Sequence, residues 1–180
     1  MSEELTQRWR EGDDQAGRAL VEAHLPGVLR FFQNKAGVHA EDLTQETFVR
    51  CAAARERFAG HSSFRTFVFG IARHVLYEHY RRHQAASARE LNFGVSSAVD
   101  LDPTPSQLVA AAGRQQRLRS ELRHLPVDLQ IALELFYWEG LSIAEMAESL
   151  EIPTGTVKRR LMRGREALRR RLGEEMAAAQ

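Results

Sequence analysis

The chain has one cysteine among 180 residues. A single thiol excludes an internal disulfide and a cysteine-built zinc site. Cys51 lies in the helix-like stretch LTQETFVRCAAARERF and reads as a small buried hydrophobe rather than a reactive group. Long apolar runs are missing too: nothing approaches the roughly 20 residues that a bilayer crossing needs. Met1 to Arg10 is polar and charged, so the expectation is a cytoplasmic protein with neither secretory signal nor membrane insertion. Charge of one sign is also absent. Lys and Arg number 25 against 24 Asp and Glu, a net charge of +1, so only the distribution of charge can point to a partner. The seven histidines are scattered with no metal-ligand spacing, and neither a glycine-rich phosphate loop nor a nucleophile–base set occurs. No catalytic residue, metal, cofactor or small-molecule substrate is therefore assigned.

What the chain does have is helical periodicity. Leu20, Val21, His24, Leu25, Val28, Leu29 and Phe32 recur at helical spacing, with Pro26 and Gly27 an expected interruption or kink. A second stripe runs through Leu43, Thr47, Cys51, Ala54 and Phe58, and a third through Phe64, Phe67, Val68, Ile71, Ala72, Val75 and Leu76. KAGVHAED and AGHSS read as the turns between them. After residue 84 the composition shifts. AASARELNFGVSSAVDLDPTPSQ is rich in small and polar residues, and Pro103 and Pro105 forbid regular helix. The expected architecture is all-α: a helical domain over 1–84, a flexible linker over 85–106, a second helical domain over 107–173 and a tail over 174–180.

The second domain carries the strongest motif. Leu108, Ala111, Ala112, Gln115, Leu118 and Leu122 predict a helix that stops before Pro126; Leu129, Ala132, Leu133 and Phe136 predict another, ended by Gly140. Ser142 with Glu145 three residues on is a capping box, opening a short helix with Ile143, Met146, Ala147 and Leu150 inward. The turn EIP follows, and Pro153 or Thr154 opens a helix buried through Val157, Leu161 and Leu168. Residues 152–172 hold eight basic side chains and one acid. Alone, such a run suits a solvated face as well as one lying on phosphate. On the second helix of a helix-turn-helix it favours DNA, since that helix enters the major groove by its first turns. Backbone N–H groups at Thr154, Gly155 and Thr156 suit a phosphate, and Lys158, Arg159, Arg160 and Arg163 lie on or beside the exposed face. A bidentate arginine–guanine pair supplies roughly 1–3 kcal/mol of discrimination.

The segment LPVDLQIALELFYWEGLSIAEMAESLEIPTGTVKRRLMRGREALRRRL resembles region 4 of sigma-70 family RNA polymerase sigma factors, in particular the two-domain extracytoplasmic-function (ECF) group. In that family the helix-turn-helix reads the promoter −35 element, here implying Thr154, Thr156, Lys158, Arg159, Arg160, Met162 and Arg163. AEDLTQETFVRC resembles the region 2 helix that docks on the polymerase β′ clamp helices, implying Asp42, Leu43, Gln45, Glu46 and Phe48. Glu41 and Asp42 are also favourable charges at a helix start, but the interface reading leads for Asp42, Gln45 and Glu46, while Phe48 also fits a buried side chain. FRTFVFGIARHVLYEHYRR resembles the segment that recognises and opens the −10 element, implying Phe64, Arg65, Arg73, His74 and Tyr77. Capturing an unstacked base costs a few kcal/mol, and stacking it on an aromatic returns roughly 1–3 kcal/mol. Phe67 fits packing, and Phe64, just after GHSS, fits base contact or core.

Four positions call for comment against the family pattern. His74 stands where asparagine is common, Glu151 where the helix-turn-helix turn commonly has glycine, and Arg159 and Met162 at variable recognition positions. The resemblance implies core RNA polymerase (β′ clamp helices and β flap) and promoter DNA as partners, with an anti-sigma protein as a further one. An alternative is a stand-alone helix-turn-helix regulator, which leaves the first domain's match unexplained. An enzyme built on the first domain lacks any catalytic constellation.

Overall fold

The structure, a computed structural model, describes residues 2–58, 60, 62–87 and 118–178. Every regular element among them is a helix, as the all-α reading expects. The expected linker beyond residue 87, and the stripe from Leu108 to Gln115, lie outside the described residues.

The front block begins with a helix the periodicity did not indicate, α1 (Ser2–Arg10), whose Trp9 is buried. Asp13 then caps α2 (Asp14–Ala36), accepting from the Gln15 and Ala16 amides at 2.9 and 3.1 Å and from Arg8 at 2.6 Å. Those bonds, the Ala16 amide foremost, hold the Asp13 carboxyl below its usual range. Pro26 does not divide α2. It sits on the exposed side, where water can satisfy the carbonyl that loses its amide partner. A short turn, Gly37–His39, leads into α3 (Ala40–Ala53), and α4 (Phe64–Ser87) follows. Thr44 and Thr47 are buried in α3 because each hydroxyl donates to a carbonyl one turn back, Ala40 and Leu43, at 2.7 Å. Cys51 is 2% exposed, and burial pushes its thiol up to about 12, the inert hydrophobe that the sequence suggests. Leu20, Val28, Phe32, Val68, Phe69 and Leu76 complete this core, each such side chain contributing roughly 1.5–3 kcal/mol.

The rear block is described from residue 118. α5 (118–123) ends ahead of Pro126, and α6 (Val127–Tyr137), α7 (Ile143–Leu150) and α8 (Thr154–Ala178) follow. Gln130 ties the α5–α6 turn by donating to the Leu125 carbonyl at 2.7 Å. The capping box is complete: Ser142 Oγ accepts from the Glu145 amide at 3.2 Å, and the Glu145 carboxylate accepts from the Ser142 amide at 2.9 Å. α8 presses on α6 through Gly164, where a Cβ would lie 3.0 Å from the Leu133 side chain. Between α7 and α8, Glu151 adopts φ 53 and ψ 44. This left-handed conformation costs a residue with a Cβ roughly 1 kcal/mol.

Candidate nucleic-acid and protein interfaces

α7 and α8 form the expected helix-turn-helix. Val157 and Leu161 are buried at 0% and 2%, which turns Arg159, Met162 and Arg163 outward, Met162 at 57% exposure. Thr154, Gly155 and Lys158 are exposed as well. Thr156, Arg159 and Arg163, at i, i+3 and i+7, make one stripe down the outer face. Two details correct the sequence reading. The Thr156 amide closes the first turn on the Pro153 carbonyl at 2.8 Å, which narrows the phosphate cradle to Thr154 and Gly155. Arg160 is half-buried and donates to Asp128 of α6 at 2.7 Å, so it braces the motif rather than reaching outward.

The −10 candidates lie on α4, and the rear block covers most of them. Arg73 donates to Glu151 at 2.6 Å, and His74 Nε2 lies 3.2 Å from the same carboxylate. The Tyr77 hydroxyl donates to Asp128, and Arg65 to the Glu139 carbonyl at 2.8 Å. α7 packs on α4 at Gly70, where a Cβ would sit at an ordinary contact distance, 3.5 Å, from the Ser149 carbonyl oxygen. α2 joins the same interface. Arg30 donates to Glu139 at 2.6 Å, and Asn34 and Lys35 both donate to Glu134. The Lys35–Glu134 pair is buried on both sides, so desolvation pulls the Lys35 pKa down and pushes the Glu134 pKa up. Tyr77 is raised by burial and then by Asp128, whereas Glu151 is held low by its bond to Arg73. Rear-block acids thus meet front-block cations at three points of the contact, Arg73–Glu151, Arg30–Glu139 and Lys35–Glu134.

Phe64 is a correction. It is 2% exposed and packs edge-on against Trp9, ring centroids 5.2 Å apart, so in this arrangement it belongs to the core instead of offering a face to a base. Phe67, expected to pack, stacks obliquely on Phe58 at 4.6 Å.

α3 offers a third face. Asp42 and Gln45 are exposed, and Glu46 on the same face pairs with Arg50 at 2.5 Å and lies 3.6 Å from Arg82. Leu43, expected at a partner surface, is 4% exposed and packs inward, and Phe48 is half-buried against the core. The sequence reading missed Val49, 62% exposed on the same helix, and Val38, 72% exposed in the turn before it. Val49 lies seven residues after Asp42, an apolar side chain on an otherwise polar face, and that was the available signal. The fold also gathers His39, His79 and His83, the one set of three or more His, Cys, Asp or Glu side chains among the described residues that could hold a metal ion.

Among the described residues no helix is long and apolar enough to cross a membrane. Residues 20–86 match the family model for sigma-70 region 2, and residues 115–168 match that for sigma-70, region 4. The chain is 33% identical over 161 residues to the ECF RNA polymerase sigma factor SigC of Mycobacterium tuberculosis, covering 88% of this chain and 84% of that protein. It is 29% identical over 181 residues to the ECF RNA polymerase sigma-E factor of Escherichia coli, covering 93% and 95% respectively. In fold it is similar to the sigma factor RpoE solved with the anti-sigma factor NepR from Bartonella quintana, with TM-score 0.70, 24% identity, and 87% and 96% of the two chains covered. With family-model matches to regions 2 and 4 in order and a 33% identical relative along most of its length, the chain belongs to the ECF group of sigma-70 family RNA polymerase sigma factors.

Proposed function

We propose that this chain divides promoter recognition among its three faces and that the arrangement seen here is a closed, promoter-incompetent state. Asp42, Gln45, Glu46 and Val49 of α3 dock on the polymerase β′ clamp helices, with Leu43 and Phe48 shaping that face from beneath. Thr154, Thr156, Lys158, Arg159, Met162 and Arg163 read or hold the −35 duplex. Arg65, Arg73, His74 and Tyr77 of α4 hold the opened −10 segment. The apolar groove of about 330 Å³ lined by Leu122, Leu133, Tyr137, Trp138 and Leu168 receives the β flap. The chain works in the cytoplasm as a binding factor, and the polymerase supplies the catalysis.

One observation carries the closed-state reading. Glu151 and Asp128 engage Arg73, His74 and Tyr77, and the Glu139 backbone carbonyl takes Arg65, so the α4 groups assigned to the −10 segment are already occupied. The contact carries ion pairs and hydrogen bonds alongside buried apolar side chains. The half-exposed pairs return to water at little net cost, which lowers the work polymerase does in separating the blocks. An anti-sigma partner is also proposed, because the similar RpoE was solved bound to one. Transcription in vitro with core polymerase and a promoter library tests the assignment. RNA initiated from templates sharing two spaced elements is the expected result. No polymerase binding and no initiation from any template would overturn it.

A further inference from the structure

Three imidazoles that the sequence keeps apart meet on the front block. His39 ends the turn before α3, whereas His79 and His83 stand one helical turn apart on α4. Ring centroids are 5.0 Å apart for His39 and His79, 5.2 Å for His39 and His83, and 4.3 Å for His79 and His83. One nitrogen from each ring can be chosen so that all three lie within 4.8 Å of one another.

We propose that His39, His79 and His83 form a binding site for a first-row divalent transition-metal ion, Zn²⁺ foremost. An all-imidazole set suits zinc, copper, nickel and cobalt and leaves the oxygen-seeking magnesium and calcium unserved. Bonds of about 2.0–2.1 Å in a tetrahedral site put ligand nitrogens about 3.4 Å apart. The present spacing, up to 4.8 Å, closes to that by rotation of His39 and His83, which are exposed, around His79, which is buried. Two exposed ligands leave the fourth position to water. Bound metal would cross-link the 37–39 turn to α4 across 40 residues of sequence, holding the start of α3 in place.

The test uses the full chain, with Zn²⁺ and Co²⁺ salts as probes in titration calorimetry, visible spectroscopy and thermal melting. One ion per chain should bind, Co²⁺ should show the intense visible bands of a four-coordinate site, and Zn²⁺ should displace it and raise the melting midpoint. His39→Ala and His83→Ala, both at exposed positions, should leave the metal-free melt unchanged. Each should weaken binding by more than the roughly 10–100-fold that loss of an outer-shell partner costs. His124→Ala should change nothing. Absence of stoichiometric binding at micromolar metal, or binding that survives His83→Ala undiminished, would overturn the site. The polymerase and promoter assays do not enter this test, so its failure is distinct from failure of the sigma-factor assignment.

Discussion

Replacing Glu151 separates two things that this residue does at once. Its left-handed backbone, φ 53, costs the rear block roughly 1 kcal/mol that glycine would not lose. Its carboxylate, with the side chain 63% exposed, clasps Arg73, 15% exposed, across the two blocks. A half-exposed pair of this kind contributes up to about 1 kcal/mol. Glu151→Gly should therefore raise the rear block's stability by about 1 kcal/mol while shifting the closed–open balance toward open by about fivefold. Glu151→Gln should open the interface to a similar extent but gain no stability, because the strain stays. Energy transfer between dyes on Arg18→Cys and Glu166→Cys reports opening, with Cys51 too buried to compete for label. Urea unfolding of the same proteins reports stability. If Glu151→Gly leaves the transfer efficiency unchanged, the clasp is not holding the blocks together. If it lowers stability, the strain argument fails too.

Four further outcomes are expected. Lys35→Met leaves the Glu134 carboxylate buried with only Asn34 beside it, and truncating one partner of a buried pair costs about 3–5 kcal/mol; energy transfer should show a larger open population than either Glu151 variant. His79 is held near 4 by burial and by the facing His83, His39 and Arg82, with Glu46 opposing, so an unfolded chain binds a proton there first. Stability should fall as pH drops from about 6.5 toward 4, and His79→Phe should flatten that slope in pH-dependent melts. Val49→Asp, at a 62% exposed position, should leave the melting midpoint within the range of a surface change, about 0.5 kcal/mol, yet weaken core-polymerase binding about tenfold or more. Arg163→Ala should alter the preferred −35 sequence in a selection experiment, whereas Lys158→Ala should weaken all sequences alike and reduce the salt slope by about one.

Local rules carried the sequence reading far. Ser142 and Glu145 form a complete capping box because both partners lie within one turn, and Val157 and Leu161 face inward as their period requires. Errors arose where a distant element intervened. Phe64 follows a polar loop and looked exposed, but Trp9 of α1 comes back over it, and α1 is too short and polar for its period to announce it. Leu43 packs inward from the same helix whose Asp42, Gln45 and Val49 face out. Asp128, Glu139 and Glu151 meet Tyr77 of α4, Arg30 of α2 and Arg73 of α4, partners so distant in sequence that no local rule reveals them. The same holds for the histidine cluster: His79 and His83 are one turn apart, but His39 arrives only through the fold.

The closed arrangement can be locked directly. A Cβ on Gly70 would lie 3.9 Å from both Ser149 Cα and Oγ, within reach of a disulfide whose Cβ atoms stand about 3.5–4.5 Å apart. Gly70→Cys with Ser149→Cys should therefore cross-link on oxidation without distorting either block. Transcription in vitro with core polymerase should be abolished in the oxidised protein and return on adding reductant. Equal RNA synthesis from the oxidised, fully cross-linked protein and from its reduced form would contradict the account.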